Sequence, residues 1–395
     1  MANFSIPFLL KYYVNPAIIQ VFSPKGAFPM KRLFVLFLVL CLLLPGCGKK
    51  EGAKPAPTTE PTTAPTEPST EPSTEPPTTA PPAVLYRHPL TGAPLDEPYT
   101  GRAVALSIGN TTAALPQHGI SQADLFFEVE AEGDITRFLV VISDLQSVPT
   151  IGPIRSARSF FNSIAAACNA PIAHCGGSPR GITGYHDLTG SKIENWEHFD
   201  QFTYGDKYYY RDLDRYNYQG YAWEHCLFTT GEKMLKALSD LKYEKNEAWD
   251  LGLTFADDAK LEGEKAEKVT VHFQGGKTSD LTYDSETGLY SIRQYKRDLI
   301  DGTTGKQLTF RNLFVLYADQ TKKMGGSYLR SYYDLLGEGE GYFALDGKIV
   351  KIKWSREDVK KPFVFTYEDG TPVTLGVGQS YIAISSTKAK TVEYE

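Results

Sequence analysis

The chain has 395 residues, with 41 Lys and Arg against 47 Asp and Glu, a formal charge of −6 and 42% hydrophobic residues. That length allows one large or two moderate domains with proper cores, and the acidic balance argues against broad binding to nucleic acid or to anionic lipid. Setting aside residues 1–46, which carry four basic residues and no acidic one, leaves 37 basic against 47 acidic residues and a charge of −10.

The first predicted element is an export signal. Lys31 and Arg32 precede Leu33 to Leu44, twelve residues without a charge, and the run ends in Leu44-Pro45-Gly46-Cys47. A cationic start, a short apolar stretch and a small residue before a cysteine read as a lipoprotein signal with Cys47 as the lipidated residue. The stretch falls short of the roughly 20 apolar residues that a transmembrane helix needs. Pro45 stands where a small or β-branched residue is more usual, so cleavage near Gly46 without lipidation is the alternative. Met30 lies where such a signal begins and residues 1–29 fit no part of it, which places the expected start at Met30 and the mature end at Cys47. From Pro55 to Pro82 the chain is nearly all Pro, Thr, Glu, Ala and Ser, the composition of a disordered spacer. Several acyl chains on Cys47 would hold firmly to a bilayer. The expected address is therefore the extracytoplasmic face of a cell membrane, and a spacer of that reach suits a Gram-positive wall.

Ala103–Ile108, Leu125–Val129 and Arg137–Ile142 are apolar runs of strand length. Pro153 at a helix N1 position, followed by Ile154, Phe161, Ile164 and Ala165, predicts a helix to about Ala167, and Ala170–His174 a strand entering Gly176-Gly177-Ser178. This mixture predicts an α/β-type N-terminal domain over 84–240. A charged, apolar-poor stretch at 241–265 predicts a connection. Beyond it Val269, Val271 and Phe273 alternate with polar residues, Asn312–Tyr317 and Lys348–Trp354 read as strands, and Asp346-Gly347 and Asp369-Gly370 as tight hairpins. These predict a smaller, mainly antiparallel β domain over 266–388. The fold class is thus α+β.

Once Cys41 and Cys47 are set aside, Cys168, Cys175 and Cys226 remain, most simply buried free thiols; no Cys/His spacing fits a zinc site, and no metal or cofactor is expected. The strongest chemical cluster is Glu128, Glu130, Glu132, Asp134 and Arg137 with Arg155 and Arg158. If the helix begins at Pro153, the last two arginines share a face near its N-terminus, where positive charge opposes the helix dipole. Either carboxylates such as Glu128 or Glu132 offset them as a strand-to-helix lock, or an anionic ligand does. A second candidate, His174-Cys175-Gly176-Gly177-Ser178, reads more simply as a strand-ending turn. A third is the aromatic stretch Trp196–Phe228, with Tyr216, Tyr218, Tyr221 and Trp223 interleaved with Arg211 and His225, which can form a glycan platform or wrap a core.

Pro116-Gln117-x-Gly119, Ala123-Asp124, Glu128, Glu132-Gly133-x-x-Thr136-Arg137, Gly152-Pro153-x-Arg155-Ser156-Ala157-Arg158 and Gly176-Gly177-Ser178-Pro179 resemble the N-terminal domain of the YerB-like bacterial lipoproteins. Asn312, Val315, Gly341-Tyr342, Trp354, Pro372 and Gly378-Gln379 are similar to their C-terminal domain. The resemblance implies a two-domain envelope lipoprotein without an assigned reaction. It adds weight to Glu128, Arg137, Arg155, Arg158, Arg211 and His225, with Cys226 standing where the family pattern has Asn. The leading expectation is an anionic or carboxylate-bearing ligand, such as a wall polymer, or an envelope protein, held by Arg137, Arg155 and Arg158. The alternatives are a wall or phosphodiester hydrolase using His225 or His174 with Glu128, and an interaction scaffold built on the β domain.

Overall fold

A computed structural model describes residues 86–177, 196–245, 250–325 and 328–395, all within one compact unit, Thr78–Glu395. The signal, Cys47, the Pro/Thr/Glu stretch, and Ser178 with the residues after it to 195 lie outside the described residues. Among the described residues no helix is long and apolar enough to cross a membrane.

Three strands form the centre: β1 Val104–Asn110, β2 Leu125–Glu130 and β3 Thr136–Ile142, every residue of them buried. Their apolar runs are continuous because both faces of the sheet are covered. Successive residues still divide by face: Val104, Leu106, Ile108, Phe126, Phe138 and Val140 enter one core; Ala105, Phe127, Val129, Leu139 and Val141 enter the other. Burial of each large apolar side chain contributes about 1.5–3 kcal/mol. Helix α1, Ser159–Ala167, packs Phe160, Phe161 and Ile164 into the second core. Beyond β1 the short strands β4 Ile172–His174 and β5 His198–Asp200 extend the sheet in parallel. Helix α2, Gly231–Leu241, turns Met234, Ala237 and Leu238 to the first core.

The predicted helix start is corrected: Arg158 is the N-cap of α1 and Arg155 lies in extended chain before it. The Gly152–Pro153 peptide is cis. The N–H groups of Ile154, Arg155 and Ala157 donate to Leu227, Ser107 and Gly176 carbonyls, so this segment pairs sideways with neighbouring chain instead of winding. Arg155 and Arg158 therefore share no helix face.

The C-terminal half contributes β6 Lys268–His272, β7 Thr278–Asp284 and β8 Leu289–Gln294, an antiparallel meander whose Val269, Val271, Leu281, Tyr290 and Ile292 close the first core. It also contributes β9 Asn312–Ala318, the hairpin of β10 Gln320–Gly325 with β11 Tyr328–Tyr333, then β12 Gly337–Leu345, β13 Lys348–Arg356 and β14 Ser380–Ser386. Asp346 and Gly347, both at positive φ (54° and 71°), make the expected two-residue turn between β12 and β13.

The main sheet runs β13, β12, β9, β14, β2, β3, β1, β4, β5. Strand β14 lies parallel to both β9 and β2, with Ser380 opposite Leu125 and Ile384 opposite Val129. A strand late in the C-terminal half thus pairs directly with the N-terminal half. The stretch expected as a connection is itself paired: Thr254–Ala256 lies against Thr374–Gly376, and Glu264–Lys265 against β13. The result is mostly strand with few helices, α+β in that coarse sense, although the later half is not wholly antiparallel.

Candidate functional site

The turn from β2 to β3 places the central carboxylate. Gly133 and Asp134 both take positive φ (57° and 59°), and Ile135 N–H donates to Glu132 O at 3.2 Å, so Glu132 begins a tight turn and its side chain folds back over β3. Arg137 donates to Glu132 Oε1 through Nη2 and to Ser156 O at 2.7 Å through Nη1. Arg158 closes on the same carboxylate with Nε 2.8 Å from Oε2 and Nη2 2.5 Å from Oε1. Burial alone would raise the Glu132 pKa, but Arg137 and Arg158 outweigh it and hold the carboxyl below its usual range. Arg137 is pushed down to about 9 by burial and by Arg158, with Arg155 and Arg330 acting the same way against Glu132. Burial likewise lowers Arg158.

Two further guanidiniums complete the cluster. Arg155 rests with Nη1 2.8 Å from Glu224 O, and Nη2 3.6 Å from the exposed Glu224 carboxylate. Arg330 arrives from the β10–β11 hairpin, which lies beside the turn through Ser331 N–H on Ala131 O and a bridge between Glu132 and Arg330. Its Nε and Nη1 are shut from solvent and have no hydrogen-bond partner among the described residues, an unfavourable state for a buried donor. Arg137 and Arg158 thus bond Glu132, Arg155 turns to Glu224, and Arg330 adds its charge beside Glu132 without a hydrogen bond from Nε or Nη1.

Next to them, the turn Trp223–His225 contains His225 and receives Arg211 from the short strand Tyr210–Arg211. Arg211 donates to Trp223 O at 2.8 Å and stacks 4.7 Å from the Trp223 ring centroid. His225 is 7% exposed, its Nδ1 has no partner among the described residues, and its Nε2 lies 3.7 Å from Glu224 Oε1. Burial, then Arg155, lowers its pKa. Burial also raises the Cys175 thiol, against the pull of Arg211, Arg155 and Arg137, so Cys175 faces the same group of cations. Cys226 is buried with Sγ 3.4 Å from Ala222 O. Cys168, Cys175 and Cys226 are unbridged.

Of the sequence-predicted residues, Glu132, Arg137, Arg155 and Arg158 come together, with Arg211 and His225 alongside. Glu128 does not join them. It points to the β6–β8 meander, fully buried, and accepts from Thr136 Oγ1 (2.6 Å), Asn110 Nδ2 (3.2 Å), Lys277 Nζ (2.5 Å), Ser279 Oγ (2.8 Å), Gln294 Nε2 (2.7 Å) and Tyr381 Oη (2.6 Å). Glu130 is similarly taken up, by Lys322, Gln320, Ser331 and Gly275 N–H. Glu128 is therefore a staple between the two halves, and the arrangement that a His225–Glu128 hydrolase requires is not present. His174 is locked in its turn, with Nδ1 2.8 Å from Gly176 O and Nε2 3.3 Å from His198 Nδ1. Sequence reasoning missed Arg330, which reaches Glu132 from almost 200 positions away and carries no local signal.

A concavity of about 540 Å3 lies elsewhere, on the face of β9, β12 and β13 between Glu338, Glu340, Lys351, Lys353 and Tyr342. None of the arginines lines it. It mixes both signs of charge and holds no orphaned buried donor, so the arginine cluster is the better-defined site.

Residues 90–244 match the profile of the protein of unknown function (DUF3048) N-terminal domain, and residues 269–382 that of the DUF3048 C-terminal domain. The chain is 26% identical over 300 residues, 75% of its length and 85% of the relative's, to Bacillus subtilis (strain 168) YerB, whose name marks it as a candidate lipoprotein. The crystal structure of YerB from Bacillus subtilis superposes with a TM-score of 0.64 at 24% identity, covering 78% of this chain and 99% of that one; at that identity it speaks to fold alone.

Proposed function

Because this chain belongs to the DUF3048 family, whose two domains carry no assigned function, we propose from its geometry that it is a lipid-anchored envelope protein binding an anionic ligand at Arg155 and Arg330, on a floor made by Arg137, Arg158 and Glu132. The observation that carries this reading is the surplus of cation: Arg137 and Arg158 consume the Glu132 carboxylate, while Arg330 keeps two buried donors unpaired. Guanidiniums present planar donor forks suited to carboxylate and phosphate. The relative's name and the Cys47 pattern support anchoring on the extracytoplasmic face, where the Pro/Thr/Glu tether would present the site to wall polymers.

Calorimetry with inorganic phosphate on the purified full chain tests this. Binding is expected, and Arg155→Ala with Arg330→Ala should weaken it at least roughly tenfold, the loss of about 1.4 kcal/mol or more of charge-assisted hydrogen bonding. The thermal midpoint should stay close to the parent's, since neither arginine holds the core. Equal binding by parent and double variant would overturn the reading.

A further inference from the structure

We propose that the ligand is an acidic saccharide: its carboxylate or phosphate on Arg155 and Arg330, and a neighbouring sugar ring on Trp223 and Tyr216. This deepens the anion-binding reading and rests on it. The two features are joined by one short turn, since Arg155 is held by the Glu224 carbonyl and Arg211 by the Trp223 carbonyl, the residue before it. Trp223 is 48% exposed and Tyr216 44% exposed, with ring centroids 5.1 Å apart at 77°. Leu213 and Tyr218, at the start of the same helical turn as Tyr216 and just after its end, are also exposed.

These rings are displayed on a fixed support. The helical turn Leu213–Asn217 is capped by Asp212, whose side chain accepts from Arg215 N–H at 2.9 Å. Arg215 is 2% exposed, donates to Ala114 O (2.6 Å) and Pro116 O (3.1 Å), and lies 3.9 Å from the Tyr221 ring centroid. Tyr221 Oη donates to Leu115 O at 2.7 Å. A buried cation and a tethered tyrosine hold the outer rings in place, so their exposure is a property of the fold and not of a loose loop. Exposed aromatic surface beside polar groups marks a binding face. A pyranose offers an apolar C–H face to such rings and hydroxyls to the guanidiniums around them.

The test is calorimetry on the full chain with four probes: a glucuronate-containing tetrasaccharide, a neutral glucose tetrasaccharide, inorganic phosphate and poly-glutamate. The acidic tetrasaccharide should bind at least roughly tenfold more tightly than the neutral one and than phosphate. Trp223→Ala with Tyr216→Ala should remove that advantage and leave phosphate binding unchanged, whereas Arg155→Ala with Arg330→Ala should weaken both. If phosphate binds but the acidic saccharide gains nothing over it, or if the aromatic variant keeps the gain, the saccharide inference fails while the anion site stands. If poly-glutamate binds as tightly as the acidic saccharide, the inference fails in favour of a protein partner. If neither phosphate nor saccharide binds, the anion site itself falls, and this inference with it.

Discussion

Arg158 closes a two-point fork on Glu132, Nε to Oε2 at 2.8 Å and Nη2 to Oε1 at 2.5 Å, with the two side chains 6% and 14% exposed. The fork ties the N-cap of α1 to the β2–β3 turn. Because Arg137 draws on the same carboxylate, one negative charge serves two buried cations. Neutralising that charge leaves both guanidiniums in a poorly solvated place, and breaking a buried pair from one side typically costs about 3–5 kcal/mol.

Glu132→Gln should therefore lower the unfolding free energy by about that amount in chloride, and sulfate at equal ionic strength should restore part of it by standing in for the lost carboxylate. Urea titrations in the two salts measure this. A loss under about 1 kcal/mol, or no difference between the salts, would show that the arginines neither depend on Glu132 nor accept an anion in its place.

The contact between Glu128 and Lys277 makes a different prediction, because no surplus charge is left over. Burial lowers the Lys277 pKa, and Glu128 works against that. Lys277→Met leaves Glu128 buried among neutral donors alone and should cost about 3–5 kcal/mol; adding Glu128→Gln should recover much of the loss, since a buried pair is worth little more than a neutral replacement. A double-mutant cycle by chemical denaturation gives the coupling. Losses that simply add would mean that the pair is not the staple between the halves.

How much of this could be read from the sequence depends on how local the cause is. The runs at 104–110, 125–130 and 136–142 are legible because a strand buried on both faces writes itself as uninterrupted apolar sequence. Asp346-Gly347 is legible because two consecutive positive φ angles favour those residues. The helix start was misread because Pro153 fits an N1 position, and nothing local shows that Ser107 and Leu227 will claim the N–H groups that follow. The parallel insertion of β14 against β2 and the arrival of Arg330 at Glu132 depend on topology alone. The same holds for Glu128: its motif neighbours pointed to the arginines, but the pleat turns it to the opposite partner sheet, where Lys277 waits.

Asp124 provides a pH test of the central sheet. Its Oδ2 accepts from Ser143 N–H at 2.7 Å, yet burial pushes its carboxyl from 3.8 up to about 6, with Ser143 opposing and Asp144 assisting. A carboxyl raised in the fold stays protonated while the unfolded chain has already ionised, so stability falls as pH rises between the two values. Relative to the parent, Asp124→Asn should show no pH-dependent change below about pH 4, a climbing advantage between about pH 4 and 6, and a plateau above, with a total gain on the order of 2 kcal/mol. Parallel denaturation curves from pH 3.5 to about 8 read it directly. A flat difference across that range would place Asp124 in contact with water.

His225 reports on the site itself. Burial and Arg155 favour its neutral form and Glu224 and Arg215 act in opposite senses upon it, the net effect being a pKa below 6.5. The sign follows: the fold is fully stabilised above pH 6.5 and loses stability as pH falls through the unfolded value towards the lowered one, because the unfolded chain takes up the proton first. An anion seated on Arg155 adds negative charge beside the imidazole and should raise its pKa. Arg155→Ala removes one lowering cause and should raise it as well, while blunting the response to anion. A proton NMR titration of the His225 ring, with and without saturating phosphate, should show a midpoint below 6.5 that moves upward in phosphate, with a smaller movement in the Arg155 variant. A midpoint that phosphate leaves in place, in a sample where calorimetry shows phosphate bound, would put the anion away from Arg155 and require a different seat for the ligand.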